Sequence, residues 1–380
     1  MDSVEILEKL VGFATVSRDS NLELIEYVRD LLAAHGIAAK LYTDAAARKA
    51  NLYAWVGPKD AGGVLLSGHT DVVPIDAQNW SSDPFRLEQR GERLFARGAA
   101  DMKGFLACAL RAALIAATRR LRTPLQLALS YDEEIGCVGV RSLIEDMRRW
   151  PHRPRLCIVG EPTLLRPAIG HKGNVRLKVI CHGRAAHSSQ PDRGVNAIYM
   201  ASELIQRVRA RQAVIEFGGS RDDAYGVPYT TLHVGVIQGG TVINIVPAHC
   251  ELALEIRNLP DEDSAALLAG IRADAAAVTA AIPQGGAARI EVELINQYPG
   301  LETPMDAEVA ELAAALTGNS GRIKVDFGSE AGLFSTQLGI PTVVCGPGSI
   351  EQAHKPDEFI ALEQLGRCDA MLDGLLERLT

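Results

Sequence analysis

No Cys-x-x-Cys pair occurs among the seven cysteines, which run singly from Cys108 to Cys368. An odd count without paired spacing argues against a disulfide framework and for reduced thiols, as in a cytosolic protein. Basic residues are also short. Lys and Arg number 39 against 47 Asp and Glu, a formal net charge of -8. Phosphate backbones need clustered cations, so the balance argues against a nucleic-acid partner; the one short basic run, RRLR at 119–122, reads as the decoration of a helix end. A membrane-spanning stretch is missing too, because the best candidate, Phe105 to Thr118, is interrupted by Arg111 and is too short. The opening MDSVEILEKLVGF is acidic and amphipathic and lacks the basic region and apolar core of a signal peptide. Gly239-Gly240 comes without a G-x-x-x-x-G-K-[ST] pattern, so it reads as a turn and not a phosphate cradle. Neither a long linker nor an internal repeat is visible.

What is present is ordinary for a soluble globular protein: 380 residues, 47% hydrophobic and 23% charged, enough for two domains. Apolar periodicity predicts helices over Ser3–Phe13 and Leu22–His35, the second closed by Gly36. Strands follow at Asn51–Val56 and Val64–Ser67. An irregular stretch with a short hairpin covers 76–96, and GAADMKG at 98–104 leads into a helix at Phe105–Thr118. Strand Leu125–Ser130 ends in YDEEIG, and after a helix over Arg141–Trp150 strand Leu156–Val159 ends in GEPT. From Val175 the order is strand, helix, strand, strand, helix capped by Asp261, strand, which is the βαββαβ ferredoxin-like pattern. The fold class expected is therefore α/β. A mixed, mainly parallel sheet with helices on both faces forms a discontinuous domain, residues 1–174 and 298–380, interrupted by an α+β domain at 175–297.

Imidazoles and carboxylates recur where strands end. VLLSGHTDVVP delivers His69 and Asp71 to one side of an extended chain. Asp101 sits just before a helix start, Glu133 and Glu134 follow one strand, Glu161 ends another, and His354 lies in the polar loop GPGSIEQAHKPDEF. In an open α/β sheet ligands bind at the carboxyl ends of strands. Taken singly, Glu133-Glu134 would be a solvated acidic pair, Glu161 a helix-cap acid and His69 a surface histidine. Together they need compensation, since two carboxylates 4 Å apart repel by about 4 kcal/mol at an effective dielectric near 20. Divalent cations supply it, and mixed His and carboxylate ligands suit zinc best, with cobalt or manganese as substitutes.

The blocks GHTDVVP, GAADMKG, SYDEEIG, GEPT and GPGSIEQAHKPDEF resemble the signature blocks of the M20 family of di-zinc aminoacyl hydrolases, over about residues 5–375. The resemblance implies that His69, Asp101 and Glu161 bind one zinc and Asp101, Glu134 and His354 the other, with Asp101 bridging and the peptide after it cis. It implies that Asp71 orients His69 and that Glu133 is the general base. It further implies a homodimer in which the inserted domain serves as dimerisation and lid domain, with His187 of GRAAHSSQPDRG completing the partner's site. Asn244 and Arg257 match substrate-binding positions, and an Arg there can clamp a carboxylate in two parallel hydrogen bonds. Glu330, in FGSEAGLF, matches an acid able to meet a side-chain amine in a pocket-facing loop. The activity implied is hydrolysis of a small N-acyl amino acid, deacetylation of N2-acetyl-L-ornithine first. A desuccinylase, a broad aminoacylase or a dipeptidase is the neighbouring alternative, and a metal-free binding protein is the alternative of another class. A cytoplasmic enzyme with no nucleic-acid or membrane partner is expected.

Overall fold

Val64, Leu65 and Leu66 are apolar on both sides of the chain, so the strand they form must be covered on both faces. In the computed structural model, which describes residues 1–46, 48–282 and 288–380, that strand lies inside a sheet flanked by helices, all six of its residues buried. The chain falls into two compact units, one of Met1–His171, Leu301–Lys324 and Ser329–Thr380, the other of Lys172–Gly300 and Val325–Gly328.

The first unit starts with α1 (Ser3–Val11) and α2 (Leu22–Ala34). Asp2 and Glu5 close a reciprocal capping box at the start of α1, with bonds of 2.8 and 2.9 Å. Gly36, at φ 75°, ends α2 in the left-handed conformation that a glycine adopts without a Cβ penalty. Strands β1 (Ala39–Thr43), β2 (Ala50–Val56) and β3 (Val64–His69) follow, then a hairpin of β4 (Glu88–Arg90) and β5 (Arg93–Phe95). Helix α3 (Gly104–Ala116), β6 (Leu125–Ser130), α4 (Val140–Met147), β7 (Leu156–Pro162) and β8 (Ala168–His171) complete this stretch.

The second unit runs β9 (Asn174–His182), β10 (Ala186–His187), α5 (Ala197–Gly218), β11 (Thr231–Gly239), β12 (Ile245–Val246), β13 (His249–Arg257), α6 (Ser264–Ala280) and β14 (Arg289–Tyr298). Its main sheet has the order β11-β13-β9-β14, antiparallel throughout, which is the ferredoxin-like arrangement predicted. Val175, Leu177, Val179 and Cys181 of β9 form one core with Leu204 of α5 and Ile271 of α6. Helix α6 begins later than its sequence suggests. Asp263, not Asp261, accepts the Ala265 N–H at 2.8 Å and so caps the helix.

The first unit resumes with β15 (Leu301–Glu302), α7 (Glu308–Thr317), β16 (Ile323–Val325), α8 (Ala331–Leu338), β17 (Thr342–Gly346), β18 (Phe359–Ala361) and α9 (Leu362–Leu379). Its large sheet has the order β1-β2-β6-β3-β7-β17-β8-β15, parallel across β6, β3, β7 and β17 and antiparallel towards both edges. The mixed, parallel-centred sheet is the one expected. Alternation along β3 divides the faces: a Cβ on Gly68 would strike Met102 and Leu106 of the α3 side, whereas Ser67 looks towards Glu330 at the start of α8. Packing of α3 on β7 is equally close, because a Cβ on Gly160 would lie 1.9 Å from the Phe105 ring. Phe105, Leu106, Leu110, Leu372 and Leu376 are all at most 1% exposed, and burying each stabilises the fold by about 1.5–3 kcal/mol. The four parallel strands end on the same edge, where His69, Glu133, Glu134 and Glu161 lie at or just past the ends of β3, β6 and β7 and His354 in the loop after β17.

Candidate metal centre

His69 is the last residue of β3 and is 1% exposed. Its Nδ1 lies 2.8 Å from the carbonyl oxygen of Asp71, so that nitrogen donates and carries the proton of the neutral ring. Nε2 faces Asp101 Oδ1 at 3.1 Å and Glu161 Oε1 at 3.8 Å; burial would lower the ring's pKa, but Glu161 and Asp101 outweigh it and raise it, and in the neutral ring Nε2 has a lone pair there. A lone pair aimed at two carboxylates is unfavourable unless a proton or a metal ion lies between them. The same holds on the other side of Asp101. His354 Nε2 is 3.3 Å from Asp101 Oδ2 and 3.1 Å from Glu134 Oε2. Asp101 thus offers one oxygen to each ring, which is the geometry of a bridging ligand.

Local structure explains each placement. Asp101 sits in an irregular turn ahead of α3, at φ -124° and ψ 93°, and the peptide that follows it is cis, as expected. Glu161 is on β7 itself, whose strand extends to Pro162. Glu133 and Glu134 occupy the turn after β6, and His354, at φ 61°, occupies the loop after β17. Ligand atoms of His69, Asp101 and Glu134 lie within 4.8 Å of one another, and so do those of His69, Glu133 and Glu161.

Asp71 is buried and meets the His69 ring through its backbone. Its carboxylate is 3.7 Å from His69 Nδ1, beyond hydrogen-bond reach, and the carbonyl holds the ring instead. The carboxylate accepts from Ser17 Oγ at 2.7 Å and from the backbone N–H groups of Glu133 and Glu134 at 3.1 and 3.3 Å. The carboxylate therefore anchors the turn that carries the two glutamates, while the carbonyl of the same residue holds the imidazole.

The electrostatics call for a cation. Burial pushes Glu133 up to about 8, with Glu134 and Glu330 adding to the rise, and pushes Glu134 up to about 7 with help from Asp101. Burial and neighbouring carboxylates also raise Glu161. Burial acts on Asp101 in the same sense, but the bonds from His354 and His69 outweigh it and hold that carboxyl well below the usual range. Those same contacts, to Asp101 and Glu134, raise His354 to about 10. Buried acids gathered around two imidazoles whose Nε2 atoms face carboxylates are a donor set that fits divalent metal ions.

Glu330 lies in the turn that ends the loop before α8. It stands at the entry to α8, 1% exposed, with Oε2 3.4 Å from Ser67 Oγ, and burial lifts its carboxyl to about 7. Its carboxyl adds to the rise of Glu133, so it stands within electrostatic reach of the candidate ligands.

The remaining candidates belong to the second unit. His187 is on β10, paired with β12, and its Nδ1 accepts from Ser189 Oγ at 2.8 Å and Ser189 N–H at 3.1 Å. Nε2 is then the protonated nitrogen of the neutral ring. Asn244 lies in the exposed turn before β12, and its backbone carbonyl accepts from Ser188 N–H at 3.0 Å. Arg257 ends β13 and points both of its bonds, 3.0 and 3.2 Å, at Glu255. Two residues that sequence reading passed over, Arg97 and Glu358, form a buried ion pair of 2.7 Å beside the ligand loops. Their signal was available: each is a charged residue next to, or inside, a block already singled out.

Comparison with known proteins places the chain in a family. The profile of peptidase family M20/M25/M40 matches residues 65–378. An acetylornithine deacetylase of Myxococcus xanthus is 38% identical over 374 residues, 96% of this chain and 94% of the relative. One from Pasteurella multocida is 36% identical over 364 residues, covering 94% and 91%. Among solved structures, an M20 family metallo-carboxypeptidase from Sulfolobus solfataricus superposes with a TM-score of 0.80 at 19% identity, covering 99% of each chain. A Staphylococcus aureus tripeptidase superposes with a TM-score of 0.77 at 21% identity, covering 99% and 96%. At such identities the structural likeness speaks for the fold.

Proposed function

The chain belongs to peptidase family M20/M25/M40, and from that footing we propose that it hydrolyses the amide of N2-acetyl-L-ornithine to L-ornithine and acetate in a metal-dependent reaction. The observation that carries the metal dependence is the pair of imidazole Nε2 atoms facing Asp101 from opposite sides. Full-length similarity to acetylornithine deacetylases supports the substrate. His69, Asp101 and Glu161 would hold one divalent ion, and Asp101, Glu134 and His354 a second, with zinc suited to this donor set and cobalt or manganese able to replace it. Such ions, when bound, lower the pKa of water and polarise a carbonyl.

Glu133 is the group that moves the proton. Its carboxylate, raised by burial, takes a proton from the attacking water and later gives it to the departing α-nitrogen as the C–N bond breaks. Cys137 Sγ–H, 3.2 Å from Glu133 Oε1, steadies the carboxylate without replacing it. His187, with its proton on Nε2, is suited to donate to the oxyanion. We assign it to the partner's site in a homodimer. Arg257 would exchange its contact with Glu255 for the substrate carboxylate, and Asn244 would add a polar contact from its exposed turn. Glu330, seated on Ser67 at the entry to α8, is given no substrate contact.

Desuccinylation is the competing reading, on the same machinery. A panel of N-acetyl, N-succinyl and N-formyl amino acids, assayed for release of free amine, decides between them. Highest kcat/KM on N2-acetyl-L-ornithine is expected; a preference for an N-succinyl substrate would overturn the assignment.

A further inference from the structure

We infer that Arg97 and Glu358 are positioning residues that join the loop carrying Asp101 to the loop carrying His354 and present the two side chains as one rigid piece. The inference rests on the assignment of those two residues as metal ligands.

Both members of the pair are 1% exposed. Glu358 Oε2 accepts from Arg97 Nη1 at 2.7 Å and from Gly98 N–H at 3.0 Å, and Oε1 accepts from Ala100 N–H at 2.9 Å and Asp101 N–H at 3.1 Å. One carboxylate therefore gathers three backbone donors of an irregular turn, ending on the amide of Asp101 itself. The turn opens at Gly98, at φ 82°, so its first N–H groups have no helical carbonyl ahead of them and need an acceptor from elsewhere. Arg97 completes the circuit. Its guanidinium donates to the Lys355 carbonyl at 3.2 Å and to Gln78 Oε1 at 2.6 Å, while Gln78 Nε2 donates to the His354 carbonyl at 3.2 Å. The backbone of Asp101 is thus connected to the backbone of His354 through Glu358, Arg97 and Gln78.

A buried ion pair is weak evidence for stability, because desolvation offsets most of the attraction and apolar replacements are often neutral. What this pair provides, and an apolar pair could not, is a set of directed acceptors and donors on two ligand loops. Groups that orient ligands from behind typically change metal affinity about 10–100-fold when removed.

The test is metal binding by the full-length protein, using zinc in chelator competition and cobalt for its visible absorption, in wild type, Glu358→Gln and Gln78→Ala. An amide at 358 keeps the shape but turns an N–H towards donors. Glu358→Gln is expected to bind one of two equivalents at least about tenfold more weakly, with an altered cobalt spectrum. Gln78→Ala, at a partly buried loop position, should shift the same equivalent in the same direction by less. A role in stability alone would lower the melting temperature and leave the affinity and the cobalt spectrum of the folded protein as in wild type, and that result overturns the inference. Should Glu358→Gln not fold, Gln78→Ala decides. A wild-type chain that binds no metal removes the ligand assignment and this inference with it, whereas two tight equivalents in all three proteins remove the inference alone.

Discussion

Glu133 and Glu134 are neighbours in the chain but not in their surroundings. Glu134 is bound to the His354 ring, whereas Glu133 Oε1 meets the Cys137 thiol and lies with His69 and Glu161 in a second possible ligand group. A proton carrier and a ligand respond differently to loss of charge. Glu133→Gln is predicted to lower kcat by about 10²–10⁴-fold while metal content stays at the wild-type level; loss of an equivalent of metal would make Glu133 a ligand. Glu330→Gln should leave the kcat/KM ratio of N-acetylornithine to N-acetylnorvaline unchanged, because that buried carboxyl is seated on Ser67 and away from solvent. A collapse of the ratio would restore it as the amine's partner. At this scale the candidate ligands were legible because His69, Asp101, Glu134, Glu161 and His354 sit in turn-rich blocks at strand ends. Arg97 and Glu358 stand beside or inside those blocks, but what they and the Asp71 carboxylate bind was not legible, since all three act on groups that only tertiary folding brings near.

Elements hold these residues to the extent that they are themselves tied down. Helix α4 ends near Asp146, an acid close to a helix C-terminus, where the dipole disfavours negative charge. Three donors compensate: Lys40 Nζ at 2.9 Å and Tyr42 Oη at 2.7 Å from β1, and Trp150 Nε1 at 3.2 Å. These bonds, that from Lys40 foremost, depress the Asp146 carboxyl to about 2. The folded pKa lies below the unfolded one, near 3.9, so its stabilisation is present above about pH 4 and is lost as pH falls from about 4 to about 2. Asp146→Asn should therefore cost about 1 kcal/mol at neutral pH, discounted for the exposure of Lys40, in urea unfolding. The difference from wild type should shrink in acid below that range; a difference independent of pH would mean that shape and not charge holds α4 to β1. Strand and helix positions were read from periodicity with small shifts at their ends. Helix α8 was missed because FGSEAGLF is short and small-residued, without a recognisable cap, and the sequence offered no reason to prefer helix over loop.

The molecule as a whole combines a parallel-centred sheet, whose strand ends gather the candidate ligands, with a ferredoxin-like unit that carries His187, Asn244 and Arg257. The proposal that His187 serves the partner's site is checked by exchange: mixing a His187→Ala chain with a Glu133→Ala chain should restore part of the activity, because one of the two mixed sites is intact. No recovery in exchanged heterodimers would place His187 in its own chain's reaction or outside the reaction. At this scale the hydrophobic pattern itself carries the change from strand-and-helix alternation to βαββαβ, and the four-stranded antiparallel sheet follows it. The central claim concerns the metal. It is tested most directly by following release of L-ornithine from N2-acetyl-L-ornithine before chelation, after it, and after restoring zinc or cobalt. Turnover that disappears with the metal and returns with it is the result predicted; turnover indifferent to chelation, or none with either ion supplied, would contradict it.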